Sequence, residues 1–308
     1  MNLDFSSIRA FNWMPSWAAT LYEQWTQFDG DQAARELAAA PKYGINTIRI
    51  WWDWHAWRMR PKKALAAFEQ SLDLIAGLGM KVMPTLFNLW HDGLYPAGGT
   101  HFEWLHVCPR EIFREYVADV VGRYASDERV MGWDICNEPG VWTLEEPLHK
   151  LQWEFVREMT EACRAAGPSQ PITIGTMAGE NVRLFADVVD VISIHPYADS
   201  AEDMEKMCDD GVALGLEAGK PVIATEIGRG SMDDTRHVDM AIYSIESCEK
   251  RGIGWFLWQL VAGEMIAARR DWIHGNTPPG DNAYMAFALP NGDLRPGHDR
   301  LAEWLAKR

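Results

Sequence analysis

The feature that most constrains the fold of this chain is a repeated alternation of short apolar runs with amphipathic segments of helical period. The apolar runs predict strands at residues 8–13, 47–52, 81–87, 130–136, 171–175, 188–195, 222–226 and 252–258. The segments between and after them predict helices at 32–42, 64–77, 110–124, 148–166, 181–187, 201–218, 235–251 and 300–307. Repeated strand–helix pairs of this kind predict the α/β class, a (β/α)8 TIM barrel formed by one domain over residues 1–308.

The alternative architecture, a doubly wound open sheet, usually has a glycine-rich first turn. Here that turn is Trp-Met-Pro-Ser-Trp at residues 13–17, which contains no glycine. The least regular stretches are 89–109 and 259–296, and each follows a predicted strand. Long loops in that position are usually functional, because barrel active sites form at the carboxyl ends of the strands.

Two predicted strands end in a glutamate that is soon followed by proline or glycine. Glu138 lies in Trp-Asp-Ile-Cys-Asn-Glu-Pro at 133–139, and Glu226 lies in Val-Ile-Ala-Thr-Glu-Ile-Gly at 222–228. A retaining glycosidase needs such a pair, one carboxyl group as general acid and base and one as nucleophile, about 5 Å apart. We therefore take Glu138 and Glu226 as the candidate catalytic residues. Asp134 is expected to share the barrel-facing side of Cys136 and Glu138 and to pair with Arg49, as a catalytic support or as a structural ion pair.

Other polar and aromatic residues occupy the remaining strand ends, where barrel enzymes carry their functional groups. The candidates for substrate binding or support are Arg49, Trp52, Asp53, Trp54, Asn88, Trp90, His91, Asn137, His195, Tyr197 and Trp258. For Asp53, an alternative role in stabilising its own loop stays open.

This arrangement resembles the clan A glycoside hydrolases and, within them, the cellulase-like glycoside hydrolase family 5. The resemblance rests on five elements in order: Arg49 on strand 2, Asn-Glu-Pro at 137–139 on strand 4, His195 and Tyr197 on strand 6, Glu226 on strand 7 and Trp258 on strand 8. The family implies a (β/α)8 barrel and a retaining β-glycosidase that needs no cofactor. The chain departs from the expected pattern after strand 3, where a histidine pair is absent, and after Trp258, where an apolar run follows.

The resemblance also implies a role for each matched residue. Glu138 would be the acid/base and Glu226 the nucleophile. The other matched residues would support them: Asn137 would bind the sugar 2-hydroxyl, Arg49 and Tyr197 would hold Glu226 ionised, His195 would line the glycone subsite and Trp258 would form its floor. An adjacent cation and a phenol donor do favour an ionised nucleophile.

Tryptophan is unusually frequent, with 16 residues, and many of them fall at predicted strand ends or in the loops that follow. Some of these rings must pack beneath the loops. Others are expected to stack on pyranose rings, which favours an oligosaccharide over a single sugar. With the family resemblance, the expected substrate is a β-linked oligosaccharide or polysaccharide of gluco or manno type.

The bulk properties exclude several classes of partner. A net charge of −15 argues against nucleic acid and against anionic membrane surfaces. The five cysteines show no metal-binding spacing, and neither a metal nor a cofactor is expected. The first residues lack the features of a secretory signal, so a cytoplasmic location is expected, or secretion if a leader was removed. The oligomeric state is open.

Three alternatives to simple retaining hydrolysis follow from the same residues. The barrel could bind carbohydrate without cleaving it, as a pseudoenzyme. It could be an inverting hydrolase, which needs carboxyl groups about 6.5–9.5 Å apart. It could also transfer the sugar to another hydroxyl group, as a transglycosylase of the same clan.

Overall fold

The structure is a computed structural model that describes residues 4–88, 108–177, 179–261, 263 and 284–308. Its eight parallel strands pair in sequence order and close into a barrel. The strands are β1 (Arg9–Asn12), β2 (Thr47–Trp51), β3 (Lys81–Asn88), β4 (Trp133–Asn137), β5 (Ile172–Met177), β6 (Ile192–His195), β7 (Val222–Ile227) and β8 (Gly254–Leu257). The predicted (β/α)8 TIM barrel is confirmed.

Helices surround the barrel. Within the described residues they are α1 (Leu21–Thr26), α2 (Gly30–Leu37), α3 (Trp54–Met59), α4 (Pro61–Gly77), α5 (Arg110–Arg123), α6 (Pro147–Ala165), α7 (Ala201–Ala218), α8 (Asp234–Glu249) and α9 (Asp299–Leu305). Short 3₁₀ helices lie at Phe5–Ser7, Ala40–Tyr43 and Glu180–Leu184. None of the helices in the described part of the chain combines the length and the hydrophobicity that a membrane-spanning helix needs.

The prediction missed two short helices, and each begins at a side-chain cap. Thr20 accepts a hydrogen bond from the backbone N–H of Glu23 at the start of α1. Asp53 accepts one from Ala56 at the start of α3. The helix predicted at 32–42 divides into α2 and the 3₁₀ helix Ala40–Tyr43, because Pro41 has no N–H to continue an α-helical ladder. The helix predicted at 181–187 is the 3₁₀ helix Glu180–Leu184.

The interior of the barrel changes from apolar to polar along the strands. One buried apolar cluster includes Ala10, Met83, Ile223 and Phe256, from β1, β3, β7 and β8. Side chains two positions apart on a strand point to the same face. The next positions on that face are Asn12, Thr85, Thr225 and Trp258. The carboxyl ends of the strands therefore carry the polar groups, above an apolar floor.

Candidate active site

Arg49 organises the polar end of the barrel. Its side chain is fully buried, yet all five guanidinium N–H groups have acceptors. Nε and Nη2 donate to Asp134 Oδ2 at 2.9 and 2.6 Å, and Nη1 donates to Asn12 Oδ1 at 2.9 Å. The remaining N–H groups donate to Glu226 Oε1 at 2.7 Å and Asn137 Oδ1 at 2.8 Å. The guanidinium thereby fixes residues from β1, β4 and β7 relative to one another.

Asp134 is held as completely as the arginine that it binds. Its Oδ2 also accepts from the Thr85 hydroxyl at 3.1 Å, and its Oδ1 accepts from the Gly175 backbone N–H at 2.9 Å. A buried ion pair of this kind is tolerated because every remaining lone pair is satisfied. Asp134 therefore serves both roles that the sequence left open, a structural ion pair and a support for the arginine beside Glu226.

The expected alternation of Asp134, Cys136 and Glu138 on one side of β4 is wrong. The pairing of β4 with β5 shifts register between Asp134 and Asn137, and such a bulge re-aims the side chains that follow it. Asn137 consequently joins Asp134 at Arg49, while Cys136 packs into the main apolar core. A similar register shift in the pairing of β7 with β8, between Ala224 and Ile227, precedes Gly228, whose φ is +95°.

Glu226 is bound at both carboxylate oxygens. Oε1 accepts from Arg49, and Oε2 accepts from the Tyr197 hydroxyl at 2.9 Å, with His195 Nδ1 at 3.7 Å from the same oxygen. Burial raises the pKa of Glu226 above its ordinary value, and the nearby Glu138 adds to that rise. The charge and the hydrogen bond of Arg49 oppose that rise. The arginine was expected to keep this carboxyl group ionised; here it offsets part of the cost of burial.

Glu138 has an unusual backbone conformation. Its φ is +43°, and among the described residues it is the one residue other than glycine with a positive φ. A non-glycine residue in this region costs about 1–3 kcal/mol and is concentrated at functional sites. The backbone N–H of Glu138 donates to Gly175 O at 2.7 Å, which ties the strained residue to β5. The carboxyl group lies beside His195, with Oε1 2.8 Å from Nδ1.

The two glutamates lie close together. One carboxylate oxygen of Glu138, one of Glu226 and a ring nitrogen of His195 all lie within 4.8 Å of one another, and all three residues are buried. Burial lowers the pKa of His195 to about 4, helped by the charge of Arg49 and opposed by Glu226 and Asp134. The imidazole is therefore neutral near pH 7, which leaves Arg49 as the cation beside Glu226.

His195 occupies a different place from the glycone lining that the resemblance implied. Its ring is fully buried, with Nδ1 on Glu138 and Nε2 2.9 Å from the Thr225 hydroxyl. Asn137, the predicted partner of a sugar hydroxyl, is oriented by Arg49 at Oδ1 and donates from Nδ2 to Asn88 Oδ1 at 3.3 Å. The structure thus brings Asn88 to the site through Asn137.

Trp258 lies on one side of this polar cluster, where it is 7% exposed. It shares a small apolar cluster with Trp51, and Tyr197 packs against that cluster. The Trp51 ring meets Trp258 edge to face with centroids 5.4 Å apart, and the Arg49 guanidinium lies 4.5 Å from the Trp51 centroid. Trp51, absent from the predicted site residues, therefore links the arginine to the predicted floor.

Trp52, Asp53 and Trp54 have structural positions. Trp52 is 1% exposed and packs on Trp25 and Phe68, with centroids 5.1 and 4.7 Å away. Trp54 belongs to the same main core. Asp53 caps α3, as its alternative role required, by accepting from the Ala56 N–H at 2.6 Å. Packing in the core explains the positions of Trp52 and Trp54, and capping of α3 explains that of Asp53. Trp90 and His91 lie outside the described residues.

The sequence reasoning also missed Asn12, Gly175 and Thr225. Asn12 is polar at the end of β1, so the strand-end rule applied elsewhere would have found it. Its Nδ2 donates to the backbone oxygens of Thr225 and Leu257 at 3.0 and 3.2 Å. Gly175 is required by space, because an added Cβ would lie 2.9 Å from His195 Nε2 and 3.0 Å from Arg49 Nη2. Only the closed barrel reveals that crowding.

Comparison with known proteins identifies the family of the chain. The family model described as cellulase, glycosyl hydrolase family 5, matches residues 11–264. The chain belongs to glycosyl hydrolase family 5. This membership places it among the glycosidases, as the sequence resemblance indicated.

Individual similar proteins are more distant. An exo-β-1,4-mannosidase from an Opitutaceae bacterium has a TM-score of 0.72 at 19% identity, and the match covers 100% of this chain and 62% of that one. An endo-1,4-β-D-mannanase from Thermotoga petrophila has a TM-score of 0.69 at 16% identity. That match covers 97% of this chain and 100% of the mannanase chain. A probable mannan endo-1,4-β-mannosidase C from Aspergillus terreus is 25% identical over 135 residues, 38% of this chain and 33% of its own length. The match thus spans a third of that curated relative.

Glu138, His195 and Glu226 offer two carboxylates and an imidazole, which are ligand types that divalent metals accept. Both oxygens of Glu226 are already occupied, by Arg49 and Tyr197. The guanidinium charge at 2.7 Å also repels a cation at that carboxylate. This arrangement suits proton transfer and nucleophilic attack better than metal binding.

Proposed function

We propose that this family 5 protein is a retaining β-glycoside hydrolase that cleaves β-linked gluco- or manno-type oligosaccharides or polysaccharides by double displacement. The observation that carries the proposal is the approach of Glu138 and Glu226, whose carboxylate oxygens come within 4.8 Å of each other. Retaining enzymes hold their carboxyl groups about 5–5.5 Å apart, whereas inverting enzymes leave about 6.5–9.5 Å for a water molecule. The close approach supports retention.

In the first step, Glu226 attacks the anomeric carbon while Glu138 gives its proton to the glycosidic oxygen. The bond to the leaving sugar breaks, and a glycosyl ester forms on Glu226 with inversion. Attack requires the carboxylate form, which Arg49 and Tyr197 stabilise at Oε1 and Oε2. The ester neutralises Glu226 and removes the negative charge beside Glu138.

In the second step, a water molecule attacks the anomeric carbon as Glu138 takes its proton. The ester bond breaks, Glu226 leaves as a carboxylate, and the second inversion restores the β configuration. Loss of the negative charge on Glu226 in the intermediate favours the ionised form of Glu138, which suits it to act as the base. Arg49 and Tyr197 hold the carboxyl group of Glu226, and His195 holds that of Glu138, while their charges change.

The named activities of similar proteins favour β-mannosides within this substrate class. They include an exo-β-1,4-mannosidase and an endo-1,4-β-D-mannanase, as well as a Streptomyces cattleya family 5 protein solved with Manβ1-4GlcNAc.

The test is a product profile on β-linked gluco-, manno-, xylo- and galacto-oligosaccharides, with chain lengths read by mass spectrometry. Wild type is expected to shorten one series, and Glu226→Gln to leave it intact. Internal fragments indicate an endo enzyme, and loss of one sugar at a time indicates an exo enzyme. Products longer than the substrate indicate transglycosylation through the same intermediate.

The carbohydrate-binding pseudoenzyme is the competing function. It predicts that calorimetry detects binding of an oligosaccharide that the wild-type protein does not cleave. Turnover by Glu226→Gln at the wild-type rate would contradict the proposed nucleophile.

A further inference from the structure

The hydrogen bonds of His195 continue away from Glu138 into β6 and β7. Nε2 of the ring lies 2.9 Å from Thr225 Oγ1, and Thr225 Oγ1 is hydrogen-bonded to Ser193 Oγ. His195 and Ser193 are each 2% exposed, and Thr225 is 0% exposed. Ser193, Thr225, His195 and Glu138 therefore form one buried chain of polar groups that ends at a catalytic carboxyl group.

The protons of this chain can be assigned by counting donors and acceptors. Among the described residues, Ser193 Oγ has one hydrogen-bond partner, Thr225 Oγ1. If Thr225 donated to Ser193, the buried Ser193 O–H would have no acceptor there, which is costly. Ser193 therefore donates to Thr225, and Thr225 donates to His195 Nε2. A neutral imidazole that accepts at Nε2 carries its proton on Nδ1.

We propose that Thr225 and Ser193 are positioning residues that hold His195 in the Nδ1–H tautomer, so that Nδ1–H donates to Oε1 of Glu138. This inference rests on the proposed role of Glu138 as acid and base. With Oε1 engaged as an acceptor, the catalytic proton of Glu138 is carried by Oε2. The hydroxyl pair thus determines which oxygen of the general acid is protonated.

One tautomer serves both halves of the reaction. When Glu138 is protonated, Nδ1–H donates to its carbonyl-like Oε1; when Glu138 is ionised, the same N–H stabilises the carboxylate. No hydroxyl group or ring nitrogen must change its proton between the two steps. Such fixed dipoles lower the reorganisation that accompanies proton transfer.

Charged groups on three strands face the His195 ring. They are Glu138 and Asp134 from β4, Arg49 from β2 and Glu226 from β7, with the Tyr197 phenol nearby on Glu226. Burial, the largest effect on the ring, lowers the pKa of His195 to about 4. A neutral ring has one N–H. The Thr225 hydroxyl at Nε2 and the carboxylate oxygens at Nδ1 both favour its location on Nδ1.

The direct test is nitrogen-15 NMR of the protein labelled at histidine, because the shifts of protonated and unprotonated ring nitrogens differ. The signal of His195 is identified by its loss in His195→Asn. Wild type is expected to show the Nδ1–H form, and Thr225→Val to increase the Nε2–H form. Thr225→Ser restores the donor and the wild-type tautomer. A wild-type ring protonated at Nε2 overturns the proposal.

The pH profile of kcat/KM is a second readout, and it would not shift if Thr225 had a purely structural role. In Thr225→Val, protonated Glu138 can donate from Oε1 to an unprotonated Nδ1. The alkaline limb of the kcat/KM profile is then expected to move up by about half to one pH unit, and kcat to fall roughly tenfold with KM unchanged. Thr225→Ser is expected to return both toward wild type.

Thr173→Val is the matched control. Thr173 is a buried β5 threonine whose hydroxyl donates to Val191 O at 2.8 Å, away from His195. It is expected to leave the profile unchanged. A Thr225→Val profile that coincides with wild type overturns the proposal. Failure of wild type to cleave any glycoside contradicts the proposed function instead, while the tautomer is still measured by NMR.

Discussion

Gly175 faces His195 so closely that a Cβ at position 175 would lie 2.9 Å from the imidazole Nε2. The Gly175 backbone N–H also binds Asp134, and its carbonyl oxygen binds the backbone of Glu138. Gly175→Ala is therefore expected to displace the ring or the β5 backbone. Misplacement of a catalytic group by about 1 Å can cost a hundredfold, so kcat/KM should fall about tenfold to a hundredfold.

Gly122→Ala is the matched control for this substitution. Gly122 lies within α5, and an added Cβ there meets nothing within 4 Å. It should leave kcat/KM unchanged and stabilise the fold by about 0.5–1 kcal/mol, because alanine favours helix over glycine. Full activity in a folded Gly175→Ala protein would contradict the crowding around His195.

Tyr197→Phe is expected to move the acidic limb of the kcat/KM profile to higher pH. Burial already raises the pKa of Glu226 above 4.5, so wild-type activity should disappear as the pH falls through that raised value. Loss of the phenol donor at 2.9 Å removes a hydrogen bond to the ionised form. The limb should shift by about one pH unit and kcat/KM should fall about tenfold. An unshifted limb would mean that the phenol does not stabilise the carboxylate.

Azide should distinguish the roles of the two glutamates. In Glu226→Ala the vacated space admits azide to the α face, so a β-glycoside substrate should yield an α-glycosyl azide. In Glu138→Ala, azide should attack the glycosyl-enzyme formed from an activated aryl β-glycoside and yield a β-glycosyl azide. Cleavage of unactivated substrates by Glu138→Ala should fall about 10²–10⁴-fold. The reverse pairing of variants and anomers would exchange the assigned roles.

Three buried histidines should make the fold less stable in mild acid. Burial lowers the pKa of His195 to about 4 and lowers the pKa of His237 and His298 below 6.5. The unfolded chain therefore binds more protons, and stability that is complete above pH 6.5 falls as the pH decreases toward the folded values. Between about pH 7.5 and 5, His195 alone should remove about 2 kcal/mol from the free energy of unfolding.

His237 offers a way to separate this effect from catalysis. Its Nδ1 lies 2.8 Å from His298 Nε2, at a site formed by α8 and the residue before α9. Urea unfolding of His237→Gln should show a smaller loss of stability between the two pH values than wild type. Equal losses in the two proteins would show that His237 does not contribute to the acid sensitivity.

The barrel and its two glutamates could be predicted because both depend on local patterns. The apolar runs that end in Glu138 and Glu226 show from the local sequence that each glutamate lies at the end of a strand. Closure of a parallel barrel then brings these strand ends together. The register shift after Asp134 could not be predicted, because alternation along a strand contains no sign of a bulge. That shift decides that Asn137, and not Cys136, contacts Arg49.

The sequence was least informative about residues whose surroundings depend on the packing of distant segments. Trp52 follows a strand as Trp258 does, but the helices that cover Trp52 are recognised only in the folded chain. The capping role of Asp53 could be predicted from the sequence, since aspartate is a preferred residue at the start of a helix, where it accepts from the N–H three residues later. Thr225 and Gly175 gain their importance from His195, which lies on a different strand from either.

The configuration of the first product tests the central claim most directly. Proton NMR of the reducing sugar, recorded in the first minutes of hydrolysis and before mutarotation, distinguishes the two anomers. The close approach of Glu138 and Glu226 predicts that the β anomer appears first and the α anomer only later by mutarotation. An α anomer that appears first would establish inversion and contradict the double displacement proposed for this site.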